Sequence, residues 1–172
     1  MNLTEVKELL SEFDASALKK FGQNFLIDDN ILNIIGKSLG ENEQNVIEIG
    51  PGLGSLTRYL VKYYDNILLY EIDSKMVEVI NHTIIDKTNK HIQINKGDFL
   101  KANLDNDLKS FFGDGDIYVV ANLPYYITTP ILLKILEEAP QIKKIVIMIQ
   151  KEVAERLCGK TNTKEYNALQ KS

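Results

Sequence analysis

The sequence predicts an α/β fold, an open and mostly parallel sheet with helices on both faces. Two observations carry that expectation. From residue 30 onwards, apolar runs of strand length alternate with stretches of helical period. A glycine-rich turn also falls where the first of those strands hands over to a helix. Alternation of this kind is what parallel strands joined by crossover helices look like in sequence. With 172 residues, 44% of them hydrophobic, the chain can bury one substantial core but not two. We expect an N-terminal helix and linker over residues 1–20 and one domain over residues 21–172.

Leu3, Val6, Leu10 and Phe13 recur at three- and four-residue spacings, the period of an amphipathic helix, and a polar stretch follows over residues 14–20. Strands are predicted at 45–49, 66–72, 92–96, 117–121 and 144–150. The helices between them are predicted at 30–39, 55–63, 74–85, 129–137 and 151–157, with right-handed crossovers. Asp73 directly precedes the helix that begins at Ser74 and is read as its N-cap.

Composition excludes several function classes. No stretch approaches the roughly 20 apolar residues that span a bilayer, and the acidic, amphipathic start is unlike a signal peptide. We expect a soluble, cytoplasmic protein. Cys158 is the single cysteine, with only His82 and His91 as histidines, so neither an internal disulfide nor a transition-metal cluster is expected. A formal net charge of −4 argues against a protein that coats nucleic acid non-specifically. Any RNA contact then needs a local patch, for which Lys19, Lys20, Lys151, Arg156 and Lys160 are candidates, although basic side chains on helix surfaces are usually only solvated.

The turn reads Glu48-Ile49-Gly50-Pro51-Gly52-Leu53-Gly54. Ligands bind at such strand-to-helix junctions in open α/β sheets, and glycine there lets a ligand approach the backbone. The spacing is G-x-G-x-G, and Ser55 stands where a dinucleotide fingerprint has its third glycine, which favours S-adenosylmethionine over NAD. Glu71, at the end of the second strand, can accept hydrogen bonds from both ribose hydroxyls, a feature that NAD enzymes share. Asp98, after the third strand, can accept from the adenine amine, with Phe99 packed beside the ring. Gly50, Gly52 and Ile72 complete this group. Each has a bland alternative: a glycine turn can merely reverse the chain, and Asp98 can merely cap a turn.

The fourth strand runs into Asn122-Leu123-Pro124-Tyr125. An exocyclic adenine amine is a poor nucleophile because its lone pair is delocalised into the ring. The side-chain oxygen of Asn122 and the backbone carbonyl of Leu123 can accept its two N–H groups, while Pro124 fixes the turn. Tyr125 offers a face for the base, and such stacking contributes about 1–3 kcal/mol, comparable with the few kcal/mol needed to unstack a base. Direct displacement at a sulfonium needs positioning more than a general base. The bland alternative is a strand-ending turn with Tyr125 in the core.

Together, Phe21-Gly22-Gln23-Asn24-Phe25-Leu26, Glu48 to Gly52, Asn122 to Tyr125 and Gln150-Lys151-Glu152-Val153-Ala154-Glu155-Arg156 resemble the small-subunit ribosomal RNA adenine dimethyltransferase family. The resemblance covers nearly the whole chain from Lys20. It implies the Rossmann-like S-adenosylmethionine-dependent methyltransferase fold, with S-adenosylhomocysteine as product and no metal. It further implies transfer of two methyl groups to each of two adjacent adenines near the 3′ end of small-subunit rRNA, during ribosome biogenesis on the immature subunit. Carried over, the cofactor contacts fall on Gln23, Asn24, Leu26, Gly50, Glu71, Asp98 and Asn122, with Asn122 also facing the target amine. The family continues through further strands and a small helical domain, so we expect a catalytic domain cut short at its C-terminus, with strand 144–150 as an exposed edge that favours self-association. The full-length protein is expected to be monomeric.

Three other readings compete. The related family that methylates large-subunit rRNA and confers macrolide resistance resembles the chain less at Gly50-Pro51-Gly52 and Gln150-Lys151-Glu152. A ribosome-assembly factor without turnover is compatible with the same resemblance. A nucleotide-dependent oxidoreductase is disfavoured by Ser55 and by the Asn122–Tyr125 motif.

Overall fold

The computed structural model describes residues 29–40 and 44–149, together with positions 4, 8, 11 and 12, which are helical. The rest of the predicted N-terminal helix and the helix predicted at 151–157 lie outside the described residues. Within them run α1 (Asp29–Leu39), β1 (Asn45–Ile49), α2 (Ser55–Tyr63), β2 (Asn66–Glu71), α3 (Ser74–Thr83), β3 (His91–Lys96), α4 (Leu104–Phe112), β4 (Ile117–Asn122), α5 (Tyr125–Glu138) and β5 (Ile142–Met148).

The strands form one parallel sheet in the order β3-β2-β1-β4-β5. The chain builds outward from β1 to β3, then returns to lay β4 on the other side of β1. That reversal puts a topological switch point between β1 and β4, where open α/β sheets leave a crevice beyond the strands' carboxyl ends. The glycine turn and the Asn122–Tyr125 segment both leave the sheet there.

Alternation along the strands divides the core into two layers. Ile47, Ile49, Leu68, Tyr70, Val119 and Ala121 pack under α4 and α5, through Leu104, Leu108, Ile131 and Ile135. Val46, Ile67, Leu69, Tyr118 and Val120 pack under α1, α2 and α3, through Leu32, Ile35, Leu56, Leu60 and Ile80. Burial on both faces is why these strands read as nearly continuous apolar runs.

Three elements depart from the sequence reading. The helix α4 was not anticipated, because Asp105, Asn106, Asp107 and Ser110 are weak helix formers. Asn103 caps it by accepting from the Asn106 N–H at 3.1 Å, and burial of Leu104 and Leu108 overrides the propensity. The helix α5 begins at Tyr125 rather than 129 and carries Pro130 inside it. Its first turn is closed by the Ile127 N–H and the Thr128 hydroxyl, which both donate to the Pro124 carbonyl. The helix predicted over 74–85 ends at Thr83, and a separate 3-10 turn follows at Ile85–Lys87. As the sequence indicates, Asp73 caps α3, accepting from the N–H groups of Lys75 at 2.8 Å and Met76 at 3.0 Å. No helix among the described residues is long and apolar enough to cross a membrane.

Gly54 starts α2 in the left-handed region, at φ 88° and ψ 24°. A Cβ there would come within 2.5 Å of Ile84 Cδ1 and 2.7 Å of Ile80 Cδ1, both on the α3 side of the core. Left-handed backbone costs a non-glycine residue about 1–2 kcal/mol, and displacing two packed methyl groups adds to that. Gly54→Ala is therefore expected to lower unfolding free energy by about 2–3 kcal/mol in urea denaturation; an unchanged midpoint would contradict the packing described here.

Candidate functional site

At the carboxyl ends of β1, β2, β3 and β4 the chain lines a single cleft of about 620 Å³, within the size range of small-molecule sites. Gly50, Gly52, Glu71, Ile72, Asp98, Phe99, Asn122, Leu123 and Pro124 all line it, so nine predicted site residues from four separate segments converge on one space. Gln23, Asn24 and Leu26, and the basic positions at 19, 20, 151, 156 and 160, lie outside the described residues. Tyr125 is the first residue of α5, and its side chain is likewise outside the description.

The strand ends are tied to one another by backbone hydrogen bonds. Gly50 N–H donates to the Tyr70 carbonyl and Gly97 N–H to the Glu71 carbonyl, each at 2.9 Å. Glu71 then reaches across, its Oε2 accepting from the Gly52 N–H at 3.1 Å and its Oε1 from the Asp73 N–H at 2.9 Å. Burial raises the Glu71 carboxyl above its usual pKa, and these backbone donors oppose the rise. The backbone N–H groups of Gly52, Ile72 and Asp73 still leave part of the carboxylate's acceptor capacity to a ligand's hydroxyls.

Asp98 has the structural role weighed as its bland alternative: Oδ1 accepts from the Leu100 N–H at 3.0 Å and caps a 3-10 turn over Phe99–Lys101. It lines the cleft as well, so the cap fixes the carboxyl at the wall. Phe99 is buried and meets Tyr70 edge-on, with ring centroids 5.0 Å apart. The Tyr70 hydroxyl in turn donates to Asp107 of α4 at 2.9 Å. Ile72 contrasts with these, being 63% exposed at the cleft. A large apolar side chain left in solvent beside a cavity gives a ligand ring a surface to cover.

On the opposite wall, Asn122 ends β4 and Leu123 is buried. Pro124 holds φ −58° and ψ 146°, and its carbonyl is engaged by the first turn of α5. The motif is therefore a strand-to-helix link rather than a free turn. Tyr126, 71% exposed, also lines the cleft.

Sequence reasoning missed Glu48 as a site residue. Its side chain is 2% exposed, lines the cleft, and its Oε2 accepts from the Thr57 hydroxyl at 2.6 Å. Burial raises its carboxyl from the usual 4.5 to about 8, with the Thr57 hydrogen bond opposing the shift and the Glu71 charge adding to it. The available signal was an acid at a core position of an otherwise apolar strand. Glu48, Glu71 and Asp98 all line the cleft, whereas none of its described lining residues is a lysine, arginine or histidine. No group of three or more His, Cys, Asp or Glu side chains able to hold a metal occurs among the described residues.

Known proteins share both this architecture and the sequence. A ribosomal RNA small subunit methyltransferase A of Bacillus pumilus (strain SAFR-032) is 44% identical over 165 residues, covering 95% of this chain and 56% of the relative. The chain thus spans about half the length of the curated relatives it matches. A dimethyladenosine transferase from Plasmodium falciparum superposes with a TM-score of 0.64 at 30% identity, over 84% of this chain and 50% of that one. The 23S rRNA methyltransferase ErmE superposes with a TM-score of 0.63 at 28% identity, over 77% of this chain and 50% of that one. The fold is thus the Rossmann-like one of S-adenosylmethionine-dependent methyltransferases, and a profile for ribosomal RNA adenine dimethylase matches residues 15–170. The chain belongs to the ribosomal RNA adenine dimethylase family.

Proposed function

We propose that this chain binds S-adenosylmethionine in the cleft and transfers methyl groups to the exocyclic amine of adenine in small-subunit rRNA. The observation that carries the reading is the convergence of Glu71, Asp98 and the Asn122–Pro124 link on one acid-lined cleft without a described base. A dinucleotide brings a pyrophosphate, which the Glu71 and Asp98 carboxyls would repel. S-adenosylmethionine brings a sulfonium and an ammonium, which they attract.

In this reading Glu71 accepts the ribose hydroxyls, Asp98 accepts the adenine amine, and Ile72 and Phe99 flank the ring. Gly50 and Gly52 keep the turn open to the ligand, while Gln23, Asn24 and Leu26 close over it. The bound cofactor supplies an electrophilic methyl group with its own leaving group. The protein's task is then to orient the acceptor. Asn122 Oδ1 and the Leu123 carbonyl accept the two amine N–H groups and hold the nitrogen lone pair out of conjugation. Pro124 and the closed first turn of α5 keep those acceptors fixed, and Tyr125 stacks on the base.

The curated relatives' names support the small subunit as the target, and the large-subunit alternative is less favoured. The finer reading is an immature small subunit in the cytoplasm as partner, with two methyl groups on each of two adjacent adenines. An assembly role without turnover would survive loss of Asn122.

Two results are expected. S-adenosylmethionine titrated into the chain by calorimetry should bind saturably, NAD should not bind, and Glu71→Ala should weaken binding about 10- to 100-fold, the range for losing hydrogen bonds to a charged group. Asn122→Ala should lower methyl transfer to immature small subunits about 10²- to 10³-fold, as loss of one positioned hydrogen-bonding group does, with binding to the subunit retained. Equal transfer to large-subunit RNA would overturn the assignment of target.

A further inference from the structure

Glu48 is a buried titratable side chain to which the methyl-transfer chemistry gives no role. It occupies the fourth position of β1, where alternation turns it with Val46 towards the layer under α2. There it is 2% exposed, yet it lines the cleft.

The elements packed around it offer one hydrogen bond and no positive charge. From α2 comes the Thr57 hydroxyl, at 2.6 Å. From β2 comes Glu71, a like charge. The β4 residue in register is Val120, and α3 contributes Met76 to the cleft wall. Asp98 adds a third acid from the loop after β3. An ionised carboxyl in such a place has lost its water and gained no counter-ion, so the neutral form is favoured. Its carboxyl is raised to about 8, which leaves it protonated at neutral pH.

A cation entering the cleft reverses that balance. An opposite charge within about 4–6 Å lowers a carboxyl by about 1–3 pH units, which carries Glu48 to neutrality or below. We propose that Glu48 is protonated in the free protein and ionises when S-adenosylmethionine brings its sulfonium and ammonium into the cleft, so that cofactor binding releases a proton to solvent. The O–H bond of the carboxyl breaks, its electron pair stays on the carboxylate, and buffer takes the proton. This rests on the cofactor assignment above and adds a positioning group to it. Thr57 donates to the carboxylate so formed and holds it in place.

The test is calorimetric titration of S-adenosylmethionine into the whole chain at pH 7, in buffers of different ionisation enthalpy. The dependence of heat on buffer counts protons. The wild-type chain should release roughly half to one proton per bound cofactor, given the 1–3 unit shift. Glu48→Gln, which keeps the shape and the Thr57 contact, should release none, and the cofactor's own amine cancels in that comparison. Adenosine, lacking both the sulfonium and the ammonium, should release none from the wild type. The release should also fade as pH rises through 8 to 9, where the free carboxyl is already ionised. Should Glu48→Gln fail to fold, the adenosine comparison and the pH series on the wild type still decide the matter. Binding with equal proton counts for S-adenosylmethionine and adenosine, or a release that persists at pH 9, overturns the proposal. Absence of any S-adenosylmethionine binding would overturn the cofactor reading, and this proposal with it.

Discussion

The Glu71 carboxylate accepts from the Gly52 N–H with one oxygen and from the Asp73 N–H with the other. These two bonds join the glycine turn after β1 to the start of α3, across the carboxyl ends of neighbouring strands. Without the first, the turn would have no side-chain tether to β2. The second ties the cap residue of α3 directly to the end of β2. The parallel register makes this geometry accessible, since Ile49 lies opposite Tyr70 and places the two strand ends level. One buried acid thus serves the fold and the cleft together, which ties the stability of the loops to the group that faces the ligand.

Electrostatics divides the molecule's two tasks. A cleft whose charged lining is Glu71 and Asp98 suits a small cation but repels a polyanion. On the proposed function, RNA then meets another surface, and only an extruded adenine, which carries no phosphate on its ring, need enter beside Asn122. The net charge of −4 agrees with that separation. On that reading, cofactor attraction is local and short in range, while RNA affinity comes from clustered lysine and arginine outside the cleft.

Much of this was legible in the sequence because the informative residues were backbone-critical or punctuated a strand end. The turn Gly50–Gly54, the acid at Glu71, the Asp73 cap and the Asn122–Tyr125 motif each sit where a parallel strand stops, so alternation and spacing located them. The helix α4 escaped because its Asp and Asn content outweighs two buried leucines in any local reading. The start of α5 escaped because Tyr125, Tyr126, Ile127 and Thr128 are aromatic or β-branched, all weaker helix formers in a local reading. Glu48 was visible as a letter of the glycine motif but not as a group with a task. Its meaning depends on Thr57, nine positions away and one layer above, which spacing alone does not reveal.

If four strand ends build one cofactor site, a crystal structure of the chain with S-adenosylhomocysteine will show it. The ribose hydroxyls should lie on Glu71, the adenine between Ile72 and Phe99 with its amine on Asp98, and the sulfur should point towards Asn122. A ligand bound elsewhere, or lying in the cleft with its adenosine end turned towards Asn122, would contradict it.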